Sequence, residues 1–434
     1  MSRGKHSPRG QPLPCTGPFT DNGTMTTQRG QAGELNDIVR ASWTIDEAAL
    51  DRIEIGAGIL GTGGGGNPYI GKLMARSLLR QGKTITVVSP ESVPDDALVT
   101  SVGGMGSPTI GIERLAQGDE YLLALRTLEK RLGRSVTHLI PGEIGGSNST
   151  RPLVVAAQTG LPVIDGDGMG RAFPELQMDT FSIYGPPPTP AAIADPYGQT
   201  ALFDGIVDPR TLERYARAVT IQMGGAAGYA FPPMSGADVK RTVIPHTMTL
   251  IHVIGDTVLR ARAEHGDAIA SLLQITGGAR IFSGKITDVS RRLQGGFARG
   301  LVAIDGMGDY AGETLRIDFQ NEYLIARTGS GRVLAVAPDL ICMVAAETAE
   351  PITTEVLRYG LRVEALAIPA PELLKTPEAL AVVGPAAFGY PEVEFVPLPG
   401  SYASGLSQAL GDGPGLKSGA KPTTSLRDWA GAGR

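Results

Sequence analysis

A chain of 434 residues, 42% hydrophobic and 19% charged, is long enough for roughly two or three hydrophobic cores. Its 39 Lys and Arg against 44 Asp and Glu leave a net charge of −5, with no basic stripe to neutralise a phosphate backbone, which argues against nucleic acid as a partner. No apolar run approaches the ~18 residues of a membrane span, the N-terminus lacks a secretion signal's apolar core, and Cys15 and Cys342 suggest no disulfide framework, so a cytoplasmic protein that does not engage membranes is expected.

Residues 1–40 are rich in Pro, Gly, Ser, Thr and Arg without periodicity and read as a disordered tail, with Met25 as a candidate start. Thr44-Ile45-Asp46-Glu47 reads as a capping box opening a helix that ends near Ile59 or Leu60. Next comes Gly61-Thr62-Gly63-Gly64-Gly65-Gly66-Asn67-Pro68, and Pro68 starts a second helix whose expected apolar face is Ile70, Leu73, Met74, Leu78 and Leu79. Strands are expected over 83–89, 97–102, 137–140 and 161–164, alternating with helices over 121–132 and 152–159. That alternation predicts an α/β N-terminal lobe (41–184) with a mainly parallel sheet, whose ligands bind at the carboxyl ends of the strands.

The Gly185-Pro186-Pro187-Pro188-Thr189-Pro190 stretch reads as a stiff connector. It leads into an α+β segment over 185–278, with a helix over 209–223, a long helix or a broken pair over about 245–273, and a strand over 226–231. From 279 to 400 short strands and turns follow one another, which predicts an α+β or β-rich C-terminal lobe, and 401–434 read as a flexible tail.

Glycine-rich turns mark the candidate site. Gly56-Ala57-Gly58-Ile59-Leu60-Gly61 matches GxGxxG, but a helix precedes it and no acidic residue follows at the distance a dinucleotide site uses. Helix packing is the better reading of Gly58, and no nucleotide is expected. The Gly63, Gly64, Gly65, Gly66 and Asn67 run can form an anion-accepting nest or a surface turn. Further glycine-rich turns lie at 102–108 and 141–149.

Asp165 and Asp167 alternate with glycines after an apolar strand. In extended backbone both carboxylates enter one pocket and raise each other's pKa; the alternative is an Asx-turn with Arg171 in a structural ion pair. Glu143 and Asn148 suit hydrogen bonds to an amide-like ligand, or Ser147, Asn148 and Ser149 suit a helix N-cap. His138, His246, His252 and His265 show no zincin spacing, Cys342 reads as core, and an oxygen-rich metal site at Asp165, Asp167 or Glu143 stays open.

Several long motifs, in order, resemble one family: the Gly61 to Gly71 loop, Gly142-Glu143-Ile144-Gly145-Gly146, Asp165 through Glu175, Leu357 to Val363 and Val383 to Tyr390. They are similar to the DUF917 proteins, also called S-methyl thiohydantoin desulfurase domain proteins and often labelled hydantoinase-like, over about residues 45–400. Two positions depart from the family pattern: Asn67 stands where it carries Asp, and a glycine is expected near His246.

The resemblance implies a two-part α/β and β-rich plan and a hydrolase that removes a methylthio group from a small heterocyclic substrate, an S-methyl thiohydantoin, giving a hydantoin and methanethiol. For that chemistry Asp165 and Asp167 are expected as base and acid, with the Gly63 to Gly66 amides stabilising negative charge. Asn67, Glu143 and Asn148 would hold the ring, and Arg171 a carboxylate or the substrate's side chain. The alternatives are a metal-dependent cyclic-amide hydrolase and a non-catalytic ligand-binding or complex subunit. The cofactor is unknown, a divalent metal and a homo-oligomer being left open.

Overall fold

The computed structural model describes residues 42–106 and 108–409, so Met25, the 1–40 tail and most of the C-terminal tail lie outside the described residues. In chain order the first part contains β1 (Ser42–Thr44), α1 (Glu47–Leu60), α2 (Tyr69–Arg80), β2 (Thr86–Val88), β3 (Leu98–Gly106), α3 (Pro108–Glu113) and α4 (Asp119–Leu132). It continues with β4 (His138–Ile140), α5 (Arg151–Thr159), β5 (Val163–Ile164), β6 (Gly166–Asp167), α6 (Thr180–Tyr184), β7 (Ala191–Ala194), β8 (Thr200–Phe203), α7 (Pro209–Gln222) and β9 (Ala226–Ser235).

Strands β2, β5, β4 and β3 run parallel and side by side, as the α/β alternation predicts. Antiparallel strands extend this block on both sides, giving the order β1-β2-β5-β4-β3-β9-β7-β8. The strands that follow the proline-rich stretch thus complete the first sheet. Among the described residues no helix is long and apolar enough to cross a membrane.

Next come α8 (Gly236–Thr242), β10 (Ile244–Pro245), α9 (Thr247–Ala263) and α10 (Ala268–Thr276). Of the two readings of 245–273, the broken pair is the one observed, and α9 packs against α1. The second sheet contains β11 (Ala279–Gln294), β12 (Phe297–Gly306), β13 (Thr314–Gln320), β14 (Glu322–Thr328), β15 (Val333–Val336), β16 (Leu340–Ala345) and β17 (Arg362–Ile368). It is antiparallel throughout, in the order β15-β14-β13-β12-β11-β17-β16. Two turns set its register. Gly295 and Gly296, both at positive φ, form a two-residue hairpin between Gln294 and Phe297. Asn321, at φ 57°, turns β13 directly into β14 and projects Glu322 toward the first sheet. Two short helices, α11 (Pro377–Val383) and α12 (Leu406–Ala409), follow.

Local chemistry corrects two expectations. Asp46, not Thr44, caps α1: its carboxylate accepts from the Ala49 N–H at 2.6 Å, while Thr44 belongs to a strand. On α2 Leu73 is exposed and Lys72 is buried, because the Lys72 ammonium reaches Asp51 at 3.0 Å and also Glu54 on α1, a charge pairing that an apolar-periodicity count cannot register.

The GxGxxG glycines serve helix packing. A Cβ on Gly56 would lie 1.9 Å from the Ile251 carbonyl oxygen of α9, one on Gly255 would lie 1.9 Å from the Arg52 carbonyl, and one on Gly58 would strike Pro351. The α1–α9 backbones thus touch at a reciprocal glycine pair. Replacing Gly56→Ala should force the helices apart and cost about 2–3 kcal/mol in urea unfolding, whereas Gly266→Ala, in ordinary space, should change stability by less than about 0.5 kcal/mol. Equal stability of the two variants would contradict the packing.

Candidate active site

A cavity of about 340 Å³ opens where the carboxyl ends of β3 and β4 face the first residues of β14. Its walls carry Gly65, Gly66 and Asn67 of the glycine loop, Glu143 and Asn148 after β4, and Glu322 and Glu355 from the second sheet and its 353–356 loop. Five of the ten expected site positions are absent from its walls: Gly63, Gly64, Asp165, Asp167 and Arg171.

The glycine run is a joint between the sheets. Gly63, Gly65 and Gly66 take φ of +86°, +68° and +74°, which L side chains rarely adopt. A Cβ on Gly63 would sit 2.4 Å from the Tyr323 ring, and one on Gly64 2.1 Å from the Glu322 carboxylate. The expected free nest of amides is corrected: the Gly64 N–H donates to the Gly61 carbonyl at 2.8 Å and the Gly65 N–H to Glu322 Oε1 at 3.0 Å. Asn67 is exposed at the cavity rim, where its Oδ1 accepts from the Tyr69 N–H at 2.9 Å and opens α2.

Asp165 and Asp167 do not share a pocket. Asp165 Oδ1 accepts from the Thr249 N–H at 2.9 Å and Oδ2 from the Thr249 hydroxyl at 2.5 Å, so its carboxylate satisfies the first turn of α9. Asp167 Oδ2 gathers the N–H groups of Ile144, Met169 and Gly170 at 2.8, 2.9 and 2.8 Å, an Asx-turn that also grips the loop after Glu143. Burial holds the Asp167 pKa up at about 7 against the pull of those donors. Extended alternation fails because β6 pairs with β10 beside the N-terminus of α9, and that contact turns both carboxylates inward.

Arg171 is fully buried, and among the described residues no carboxylate forms the expected ion pair with it. Its guanidinium donates to the carbonyls of Ala172 (2.9 Å), Pro338 (3.2 Å), Asp339 (2.9 Å) and Tyr323 (3.3 Å) and to the Thr62 hydroxyl (2.8 Å). All three nitrogens are thereby engaged with protein oxygens.

Among the polar side chains that line the cavity are two buried carboxyls, Glu143 and Glu322. Glu143, 4% exposed, accepts from Asn148 Nδ2 at 2.8 Å and from the Phe173 N–H at 3.3 Å; burial lifts its pKa to about 8. Glu322, 1% exposed, is pushed well above the usual carboxylate range, first by burial and next by the charge of Glu143. Among the described residues neither its Oε2 nor Glu355 Oε2 has a hydrogen-bond partner. Asn148 is not a helix cap: besides Glu143 it binds Gly104 through both amide atoms and accepts from Arg151 at 2.6 Å. Ser147 binds the Gly65 carbonyl and Ser149 that of Gly146. Among the described residues no three His, Cys, Asp or Glu side chains are grouped to hold a metal ion.

Models of two S-Me-THD-like domains match this chain, the N-terminal domain over residues 48–205 and the C-terminal domain over 207–398. The chain belongs to the S-Me-THD-like family. The cavity therefore lies between the parts that the family's two domain models cover, Glu143 falling in the first and Glu322 in the second. A search of curated proteins gave no match. A crystal structure of a protein from Chromobacterium violaceum is similar in fold, with a TM-score of 0.70 at 23% identity, over 82% of this chain and all of that one.

Glu322, Glu355 and Arg151 were missed by sequence reasoning. Glu322 had one available signal, an acidic residue one position after an Asn turn between two apolar strands. Arg151 had another, a cation in the first turn of a helix, where the dipole disfavours it.

The raised Glu143 pKa has a consequence for folding. Between about pH 4.5 and 8 the unfolded chain releases a proton that the folded chain keeps, so this group's stabilising contribution, complete below pH 4.5, is lost as pH rises through 8. Glu143→Gln should flatten stability against pH in that window when urea unfolding is followed at intervals of pH. Asp167 acts with the same sign, so some slope remains; an unchanged slope would contradict the burial of a protonated Glu143.

Proposed function

We propose that the protein is a hydrolase that removes the methylthio group of an S-methyl thiohydantoin-type ring in the cavity between the two sheets. The observation that carries this reading is that Glu143 and Glu322 bury their carboxyls at one cavity large enough for a five-membered ring. Membership of the S-Me-THD-like family supports the substrate class.

The two carboxyls divide the work by their surroundings. Glu143 accepts two N–H donors, which favour its charged form, so it takes the proton from the attacking water. Glu322 accepts one N–H and carries the proton that the reaction needs at the ring. Water oxygen bonds to the carbon between the two ring nitrogens, while the formerly double-bonded nitrogen gains a proton from Glu322. The carbon–sulfur bond then breaks with its electron pair on sulfur, the hydroxyl proton leaves to restore a carbonyl, and the thiolate departs as methanethiol. One water is consumed, and its two hydrogens end on ring nitrogen and sulfur.

Asp165 and Asp167 act here by holding loops rather than by touching the ring, and Asn67 borders the entrance. Methanethiol release should rise as Glu143 ionises toward pH 8 and should depend on Glu322 keeping its proton, which burial favours. Glu143→Gln and Glu322→Gln should each lower kcat by about 100-fold or more while still binding the ring, measured by thiol release and by calorimetry with a hydantoin. Full activity in both variants, or no thiol released by the unaltered protein from a series of 5-substituted S-methyl thiohydantoins, would overturn the assignment.

A further inference from the structure

The glycine-rich end of β3 has no part in the reaction as described, yet its bareness is specific. A Cβ on Gly103 would lie 2.5 Å from the Tyr229 hydroxyl and 2.9 Å from Asn148 Oδ1. One on Gly104 would lie 2.3 Å from Arg151 Nη1 and 2.6 Å from Arg151 Cζ. Neither glycine takes positive φ. The two positions are therefore bare for space, which Tyr229 fills together with Asn148 and Arg151, the two side chains leading to Glu143.

We infer that Arg151 is a positioning residue for Glu143, acting through Asn148, and that Gly103 and Gly104 leave room for both side chains at the cavity wall. Arg151 Nη1 donates to Asn148 Oδ1 at 2.6 Å and to the Gly104 carbonyl at 3.0 Å. The same Oδ1 accepts from the Gly104 N–H at 2.8 Å, which fixes the amide so that Nδ2 must point at Glu143 Oε1, 2.8 Å away. The Tyr121 ring, 5.4 Å from the guanidinium carbon, holds Arg151 from its other side. A flipped Asn148 amide would aim its oxygen at the Glu143 carboxylate and its donors at Arg151, so the cation selects the orientation that gives Glu143 a donor.

Arg151 also brings positive charge to a carboxyl that otherwise faces groups which do not help it ionise. Burial disfavours the Glu143 charge, and Asp167 adds to that; Glu322 of β14 interacts repulsively with Glu143, as does the Tyr229 side chain of β9. Arg171 also interacts with it, but is committed to backbone carbonyls. Arg151 is thus the cation tied to Glu143 by a hydrogen-bonded path, and its loss removes both orientation and charge.

This inference rests on Glu143 as the base, but its test does not need turnover. Stability against pH should fall over a window that extends above pH 8 in Arg151→Met, because Glu143 then holds its proton longer, and Arg151→Met combined with Glu143→Gln should lose that extension. Arg151→Lys, which keeps charge without the fork, should leave the window in place. If the protein turns over S-methyl thiohydantoins, kcat should drop by on the order of 10- to 100-fold in both single variants, with the ascending pH limb displaced upward in Arg151→Met alone. A window that stays put in Arg151→Met, or an extension that survives Glu143→Gln, would overturn the proposal. Absence of turnover with the displaced window present would count against the proposed reaction alone.

Discussion

The arrangement depends on a buried guanidinium that has carbonyls and a hydroxyl as partners. Arg171 joins the glycine loop through Thr62, its own loop through Ala172, and the second sheet through Tyr323 and the 338–339 turn, with the Phe173 ring 4.5 Å from its Cζ. A cation taken wholly out of water is costly unless each N–H group finds an oxygen, and these partners meet that cost from both sides of the cavity. Burial brings its pKa down to about 10, which leaves it charged at any physiological pH. Because Tyr323 follows Glu322 directly, the same clamp fixes where the Glu322 carboxyl stands.

The glycine loop is the other half of that clamp. The Tyr323 N–H donates to the Thr62 carbonyl at 2.8 Å and the Thr354 N–H to the Gly63 carbonyl at 2.7 Å, so the loop backbone is bonded to the second sheet on both sides of Glu322. Any side chain at Gly63 or Gly64 would separate the sheets. The entropy lost in ordering four glycines is offset by a contact that brings Glu322 and Glu143 to one cavity.

Local patterns carried most of the elements. The parallel block β2-β5-β4-β3, the α1 and α2 helices and the β-rich second sheet follow from periodicity and turn residues, which are local properties. The site was legible only in part. Glu143, Asn148, Gly65, Gly66 and Asn67 do line the cavity, because the carboxyl ends of parallel strands converge by topology. Asp165 and Asp167 had the composition of a site, but Asp165 is drawn inward by the N-terminus of α9, some 80 residues later in the chain, and Asp167 by the N–H groups of Ile144, Met169 and Gly170. Glu322 and Glu355 come from the second sheet, and their approach to the first depends on the Arg171 clamp, which no short-range pattern encodes.

The central claim is that water replaces sulfur on an intact ring held between the two sheets. The most direct measurement is turnover of an S-methyl thiohydantoin in ¹⁸O-labelled water, with mass spectrometry of the ring product and quantitation of methanethiol. The account predicts a closed hydantoin ring with a single ¹⁸O atom and one methanethiol per product. A ring-opened product, or a hydantoin formed without ¹⁸O, would contradict it.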